Sequence, residues 1–240
     1  MKVIFYVIFG MKQLSVAEVA VDDSIWAYLE GNEENVESTN ADLSSVRPNR
    51  DLFRWKNNVI PYTMSIDFKY KVMIKIINAI KEINSNLEGC IEFREKEDGD
   101  IEFVEIRVPT ASHCKSTVGK YPGANGERYL EIDEFCPERD IYHELFHTIG
   151  MLHEHQRSDR DQYVKFNQNN LTRPSKDKNF KKYTRVDTLG LPYDITSITH
   201  YQYNQGAKPG LATLEPVDKK VLTIACILFL LEFNFEYNTC

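Results

Sequence analysis

No apolar run in this chain of 240 residues is long enough to cross a bilayer. The two candidates, Val3 to Met11 and Val221 to Leu231, fall short of the roughly 20 residues a spanning helix needs, so no membrane span is expected. A basic excess is also missing. The formal net charge is -7, with no long run of like charge, which gives no support to nucleic-acid binding. With 42% hydrophobic residues, the composition suits one mid-sized globular domain with short appendages. Histidine is scarce, yet four of the 6 in the chain fall between positions 143 and 155, with no cysteine among them.

That cluster reads His143-Glu144-Leu145-Phe146-His147-Thr148-Ile149-Gly150-Met151-Leu152-His153-Glu154. Residues four apart share a helix face, so His143 and His147 can aim ring nitrogens at one ion, while Glu144 points toward the water on it. Gly150 can take a positive φ and turn the chain, so that His153 reaches the same metal from another side. Three nitrogens leave one position open. This is the pattern of a catalytic zinc, because structural zinc is normally closed by four protein ligands, commonly thiolates. A histidine-rich surface helix is the competing reading, and the apolar Leu145, Phe146, Ile149, Met151 and Leu152 speak against it. His155 is read as a surface histidine facing away from the metal.

Met73, Ile76, Ile77, Ile80, Ile83 and Leu87 recur at three- and four-residue steps, predicting a long amphipathic helix over Lys69 to Leu87. Strands are expected at Val59 to Met64, Cys90 to Arg94, Ile101 to Val108 and Tyr129 to Ile132, with turns at Gly99 and Pro122-Gly123. Pro137, Glu138 and Asp140 suit the start of the helix that delivers His143 and His147. The fold class is therefore α+β: a twisted mixed sheet backed by two long helices, then an irregular carboxy-terminal lobe from Gly150 onward, with the metal in the cleft between.

Beyond the histidines the chain runs His153-Glu154-His155-Gln156-Arg157-Ser158-Asp159-Arg160-Asp161-Gln162-Tyr163-Val164, and here it closely resembles the astacin family of zinc metalloendopeptidases. Trp55 through Met64 resembles that family's first strand, and Gly89-Cys90-Ile91-Glu92-Phe93 and Cys114-Lys115-Ser116-Thr117-Val118-Gly119 its cysteine segments. Tyr193-Asp194-Ile195-Thr196-Ser197-Ile198-Thr199-His200-Tyr201 resembles the turn beneath the metal. The likeness covers roughly residues 48 to 216. It implies a zincin-like (metzincin) two-lobed domain holding one catalytic Zn2+ on His143, His147 and His153. Glu144 would be the general base and proton shuttle, and Tyr201 a fifth ligand that swings off to stabilise the oxyanion. Glu154 would contact, through water, the amino terminus created by propeptide removal. The resemblance also implies disulfides Cys114–Cys136 and Cys90–Cys240. Sequence alone leaves other pairings open, and Cys226 is left over as a buried thiol.

Two departures stand out. Thr199 occupies the place of the family's turn methionine, exchanging an apolar floor for a smaller side chain whose hydroxyl needs a partner. Leu29-Glu30-Gly31-Asn32 stands where such propeptides commonly carry Phe-x-Gly-Asp, and an amide is a weaker zinc ligand than a carboxylate.

Met1-Lys2, the apolar run after them and the small residues Ser15-Val16-Ala17 resemble a secretory signal, so residues 1–17 are read as a signal peptide. Residues 18–47, rich in Asp, Glu, Asn and Ser, are read as a pro-segment cleaved after Arg47 or Arg50, and 48–240 as the catalytic domain. Asn170-Leu171-Thr172 is a candidate glycosylation acceptor. The expected activity is secreted, zinc-dependent hydrolysis of protein or peptide substrates. The alternatives are a weakened or inactive homologue kept as a binding module, and a structural zinc domain, which the available base disfavours. Oligomeric state is left open.

Overall fold

The computed structural model describes residues 54–218, apart from 88, 124, 125, 185–187, 189 and 190. The expected signal peptide, the pro-segment, Asn32, Arg47, Arg50, Cys226 and Cys240 lie outside the described residues.

Strand β1 (Val59–Met64) leads into helix α1 (Tyr70–Asn86), followed by β2 (Glu92–Glu95), β3 (Val104–Arg107), β4 (Cys114–Ser116) and β5 (Tyr129–Ile132). Helix α2 (Glu138–Ile149) closes the upper lobe. The sheet order is β2-β1-β3-β5-β4. β1 pairs parallel with β2 and β3, and β3 parallel with β5, whereas β4 runs antiparallel on the outer side of β5. Parallel neighbours need a crossover, and α1 supplies the one between β1 and β2.

The apolar stripe of α1 faces the sheet, burying Val72, Ile76, Ala79, Ile80 and Ile83, while Met73 and Ile77 are half-buried. The buried ones, with Met73 packed against them, form one core with Ile60, Phe93, Ile106, Leu130 and Ile132 of the sheet and with Ile141 and Leu145 of α2. At about 1.5–3 kcal/mol for each fully buried large aliphatic, this layer fixes α2, and hence the histidines, against a rigid support.

Three elements differ in their boundaries from the sequence expectation. β2 starts at Glu92 rather than Cys90, and β3 covers Val104–Arg107 rather than Ile101 to Val108. The Cys90 and Ile91 amides turn back to the Leu87 carbonyl at 2.8 and 3.2 Å, which delays β2, and a turn over 97–100 delays β3. Asp100 receives Arg94 at 2.7 and 3.0 Å and the Glu97 amide at 2.8 Å, and its own amide donates back to the Glu97 carbonyl, leaving Ile101 92% exposed. Helix α1 is one residue shorter at each end than predicted, with extended Lys69 before it.

The lower lobe is built from short 3-10 turns and a two-stranded antiparallel ribbon of β6 (Val164–Phe166) and β7 (Leu214–Pro216). It has its own core of Val164, Leu171, Phe180, Tyr201 and Leu214. The expected Cys114–Cys136 disulfide is present and ties the edge strand β4 to the residue before Pro137 at the start of α2. Cys90 is half-buried, and the partner expected for it, Cys240, is not among the described residues. No helix among the described residues is long and apolar enough to cross a membrane.

Candidate active site

Helix α2 starts behind Pro137, with Glu138 and Asp140 in a first turn where negative charge complements the helix dipole. It ends at Gly150 (φ 118°), whose amide donates to the His147 carbonyl at 2.9 Å while the Met151 amide reaches back to Phe146 at 3.0 Å. This pairing is a Schellman cap, and its left-handed residue favours glycine. Two carbonyls of the last turn also receive donors from outside the helix. Gly119 donates to His147 at 2.8 Å, and the Trp55 indole to Thr148 at 2.7 Å. The Ser116 and Thr148 hydroxyls, 2.8 Å apart, join β4 to the same turn.

The reversal at Gly150 brings His153 beside His143 and His147. Their Nε2 atoms form a triangle with edges of 2.9, 3.2 and 3.2 Å, and all three rings are buried. Each Nδ1 faces an acceptor: the Ile198 carbonyl for His143 at 2.8 Å, the Met151 carbonyl for His147 at 2.6 Å, and the Gln156 side-chain oxygen for His153 at 2.9 Å. These partners assign the ring protons to Nδ1 and leave three Nε2 lone pairs converging on one point. Burial holds all three imidazoles below their ordinary pKa, His147 at about 4, so they are neutral near pH 7.

Neutral nitrogens facing one another repel unless a cation lies between them. A tetrahedral zinc with bonds of about 2.0–2.1 Å has nitrogen–nitrogen edges of about 3.3 Å, close to those observed. The donor set therefore fits zinc with one position left open.

Glu144 is fully buried, and neither carboxylate oxygen makes a hydrogen bond of ordinary geometry among the described residues, the Ser116 amide standing near enough only to draw its pKa partly down. Burial pushes its carboxyl well above the usual carboxylate range, and Asp140, one turn earlier, adds to the rise. A buried carboxylate is costly when ionised, so burial here favours its protonated form.

Tyr201 stands edge-on to His153, with ring centroids 4.8 Å apart. Its phenol is raised above the ordinary value, by burial first and then by the negative charge of Glu144. All the residues expected at the site, His143, His147, His153, Glu144 and Tyr201, are thus brought together.

His155 does not follow the expectation. It is fully buried rather than on the surface, stacked on Tyr201 at 3.9 Å, with Nε2 on the Asn179 carbonyl and Nδ1 accepting from the Tyr201 amide. Its ring packs 5.1 Å from that of His153, but both its nitrogens are engaged outside the histidine triangle, and it serves as the shelf under Tyr201. A single sequence cannot distinguish such a residue from a solvated one, because its partners lie 24 and 46 positions away.

The turn beneath the histidines is held by polar contacts. Thr199 is buried, its hydroxyl 3.1 Å from that of Ser197 and its carbonyl accepting from the Glu154 amide. Arg139 of α2 donates to the Ile198 and His200 carbonyls at 3.1 and 3.3 Å, flanking Thr199 on both sides. His200 is fixed in turn by the Tyr193 hydroxyl at 2.6 Å. Sequence reading missed Arg139, whose contacts span 59 and 61 residues.

Glu154 accepts from Arg157 at 3.0 Å and from the Asp194 amide at 2.9 Å through one carboxylate oxygen. The amino terminus expected to approach it falls outside the described residues. At the candidate glycosylation site, the Asn170 amide nitrogen donates to the Ala212 carbonyl at 2.7 Å.

Against known proteins, the family model described as Astacin, a peptidase family, matches residues 48–226. Zinc metalloproteinase nas-14 of Caenorhabditis elegans is 34% identical over 168 residues, 69% of this chain and 33% of that protein. Zinc metalloproteinase nas-13 of the same organism is 36% identical over 171 residues, 70% of this chain and 36% of that protein. The chain therefore spans about a third of the length of these relatives. Among solved structures, high choriolytic enzyme 1, a hatching enzyme zinc-protease from Oryzias latipes (medaka fish), is similar with a TM-score of 0.61 and 27% identity. The likeness covers 75% of this chain and 96% of that one. A family match over most of the chain, on a fold that converges three imidazoles beside a buried carboxylate, establishes that the chain belongs to the astacin family.

Proposed function

We propose that the chain is a secreted zinc endopeptidase that hydrolyses peptide bonds in protein substrates, with His143, His147 and His153 as metal ligands, Glu144 as proton carrier and Tyr201 as oxyanion donor. The observation that carries this reading is the pairing of three convergent Nε2 atoms with the buried Glu144 carboxylate. Zinc, when bound, supplies a Lewis acid that acidifies water and polarises a carbonyl.

Glu144 takes a proton from the attacking water and delivers it to the leaving amine, so no residue of the chain becomes acylated. Its raised proton affinity suits both steps, because the carboxyl must hold the proton between them. The Tyr201 phenol, kept protonated by burial, donates to the oxygen on which charge develops. The outer edge of β4, nearest α2 through Ser116, offers main-chain groups for an extended peptide to pair with.

Secretion is supported by the signal-like residues 1–17 and by the Cys114–Cys136 disulfide, a bond at home in oxidising compartments. Residues 18–47 then act as the pro-segment, and Glu154 receives the terminus produced by its removal. A role confined to binding has less support, since a binding module gains nothing from a buried Glu144.

The test is incubation of the processed protein with a casein-type substrate, with and without a chelator. Cleavage that the chelator abolishes and added zinc restores is the expected result. Cleavage indifferent to the chelator, or none with zinc bound, contradicts the reading.

A further inference from the structure

The three imidazoles are not held alike. His143 and His147 direct Nδ1 at main-chain carbonyls, which can only accept, so the backbone itself fixes which nitrogen carries their proton. His153 faces a side-chain amide instead, at 2.9 Å. An amide carries a donor at one end and an acceptor at the other, so the tautomer of His153 depends on which way the Gln156 amide points.

That direction is set by the Lys181 carbonyl, which can only accept, and the Tyr183 hydroxyl, able to donate or accept, follows it. The Gln156 Nε2 donates to the Lys181 carbonyl at 3.1 Å, and Oε1 accepts from the Tyr183 hydroxyl at 2.7 Å. A flipped amide would set an oxygen against the Lys181 carbonyl and a nitrogen against both Tyr183 and His153. Gln156 and Tyr183 are buried, and the Tyr183 amide also donates to the Gln156 carbonyl at 2.7 Å, so the two segments are clamped by backbone and side chain together. If the amide turned or vanished, the His153 proton could move to Nε2. It would then point into the triangle, toward nitrogens 3.2 Å away, where a lone pair is required.

We propose that Gln156, oriented by the Lys181 carbonyl and bridged to Tyr183, is the positioning residue that locks His153 into its metal-binding tautomer. The proposal rests on the zinc site of the function proposed above. It assigns the tautomer of the third ligand to a side chain, whereas the other two depend on the main chain.

The test compares the wild-type protein with Gln156→Leu, Gln156→Glu and Tyr183→Phe. Zinc affinity is measured by competition with a chromogenic chelator, and the His153 tautomer of the metal-free protein by long-range proton–nitrogen correlation. Wild type should show the Nδ1-protonated pattern. Gln156→Leu should gain an Nε2-protonated population and bind zinc about 10- to 100-fold more weakly, the usual cost of losing a ligand's outer hydrogen-bond partner.

Gln156→Glu keeps an acceptor for both His153 and Tyr183 and, protonated on its other oxygen as burial favours, still donates to the Lys181 carbonyl, so it should retain the Nδ1 pattern and most of the affinity. Tyr183→Phe, which leaves the Lys181 contact in place, should lose less than Gln156→Leu. Should the leucine variant fail to fold, the glutamate and phenylalanine variants still decide: loss of the Nδ1 pattern in Gln156→Glu overturns the proposal. So does a leucine variant with an unchanged ring pattern and unchanged zinc affinity. Neither readout uses a substrate, so a wild-type protein that binds zinc but leaves casein intact contradicts the peptidase reading alone.

Discussion

The Met151 carbonyl accepts the Nδ1 proton of His147 at 2.6 Å, so the turn that ends α2 also aims one of the three imidazoles. That turn needs Gly150 at φ 118°, a conformation in which a Cβ is strained. Gly150→Ala should therefore lower stability by about 1–3 kcal/mol and weaken zinc binding in the same variant. Chemical denaturation and chelator competition check the two effects. A variant that loses stability but keeps full zinc affinity shows that the turn and the ligand are independent.

Arg139 connects α2 to the turn beneath the histidines through the carbonyls on either side of Thr199. One of these carbonyls, that of Ile198, also receives the His143 ring. Arg139→Met keeps the aliphatic stem and removes both donors, and should cost about 1–3 kcal/mol in a urea titration. Unchanged stability would show that the turn is held by its remaining contacts, chiefly those of Ser197, Glu154 and Tyr193.

Asp140 is pushed by burial to about 6, against an ordinary value of 3.8, although Arg139 at 3.6 Å draws it down. A carboxyl whose pKa rises on folding stabilises the native state only while protonated. Its contribution is full below about pH 4 and lost as pH climbs through about 6. Asp140→Asn removes this dependence. The stability of wild type relative to the asparagine variant should fall by about 2–3 kcal/mol between pH 4 and pH 7. Urea unfolding of both proteins in chelator, so that metal release plays no part, gives the comparison. A constant difference across that range contradicts the assignment.

The zinc helix, its glycine stop and its three ligands were legible in the sequence because each is a local pattern. His143 to His147 is one helical turn, and the reversal at Gly150 places His153 within ten residues of His143. The same holds for α1, whose apolar stripe repeats on one face, and for Tyr129–Ile132, where strand and apolar run coincide. The three-residue strands Cys114–Ser116, Val164–Phe166 and Leu214–Pro216 are too short to reveal an alternation, and their pairing depends on partners elsewhere in the chain.

What the sequence hid is the set of contacts that orient the ligands. Gln156 meets Tyr183 across 27 positions and Arg139 meets Ile198 across 59, and nothing in the residue types announces either pairing. His155 was misread for a related reason, since its burial is produced by Phe180 and Tyr201 from other segments. Thr199, expected to leave a polar group in need of a partner, finds one two residues away in Ser197.

The most direct measurement is paired zinc content and peptide hydrolysis in wild type and Glu144→Gln. Because Glu144 touches none of the three ligand nitrogens through a hydrogen bond, the variant should bind about one zinc per chain, as one three-histidine site requires. Its hydrolysis rate should fall by about 10²- to 10⁴-fold, the usual contribution of a positioned acid–base group. Undiminished turnover in the variant, or wild-type protein that binds no stoichiometric zinc, would contradict the account.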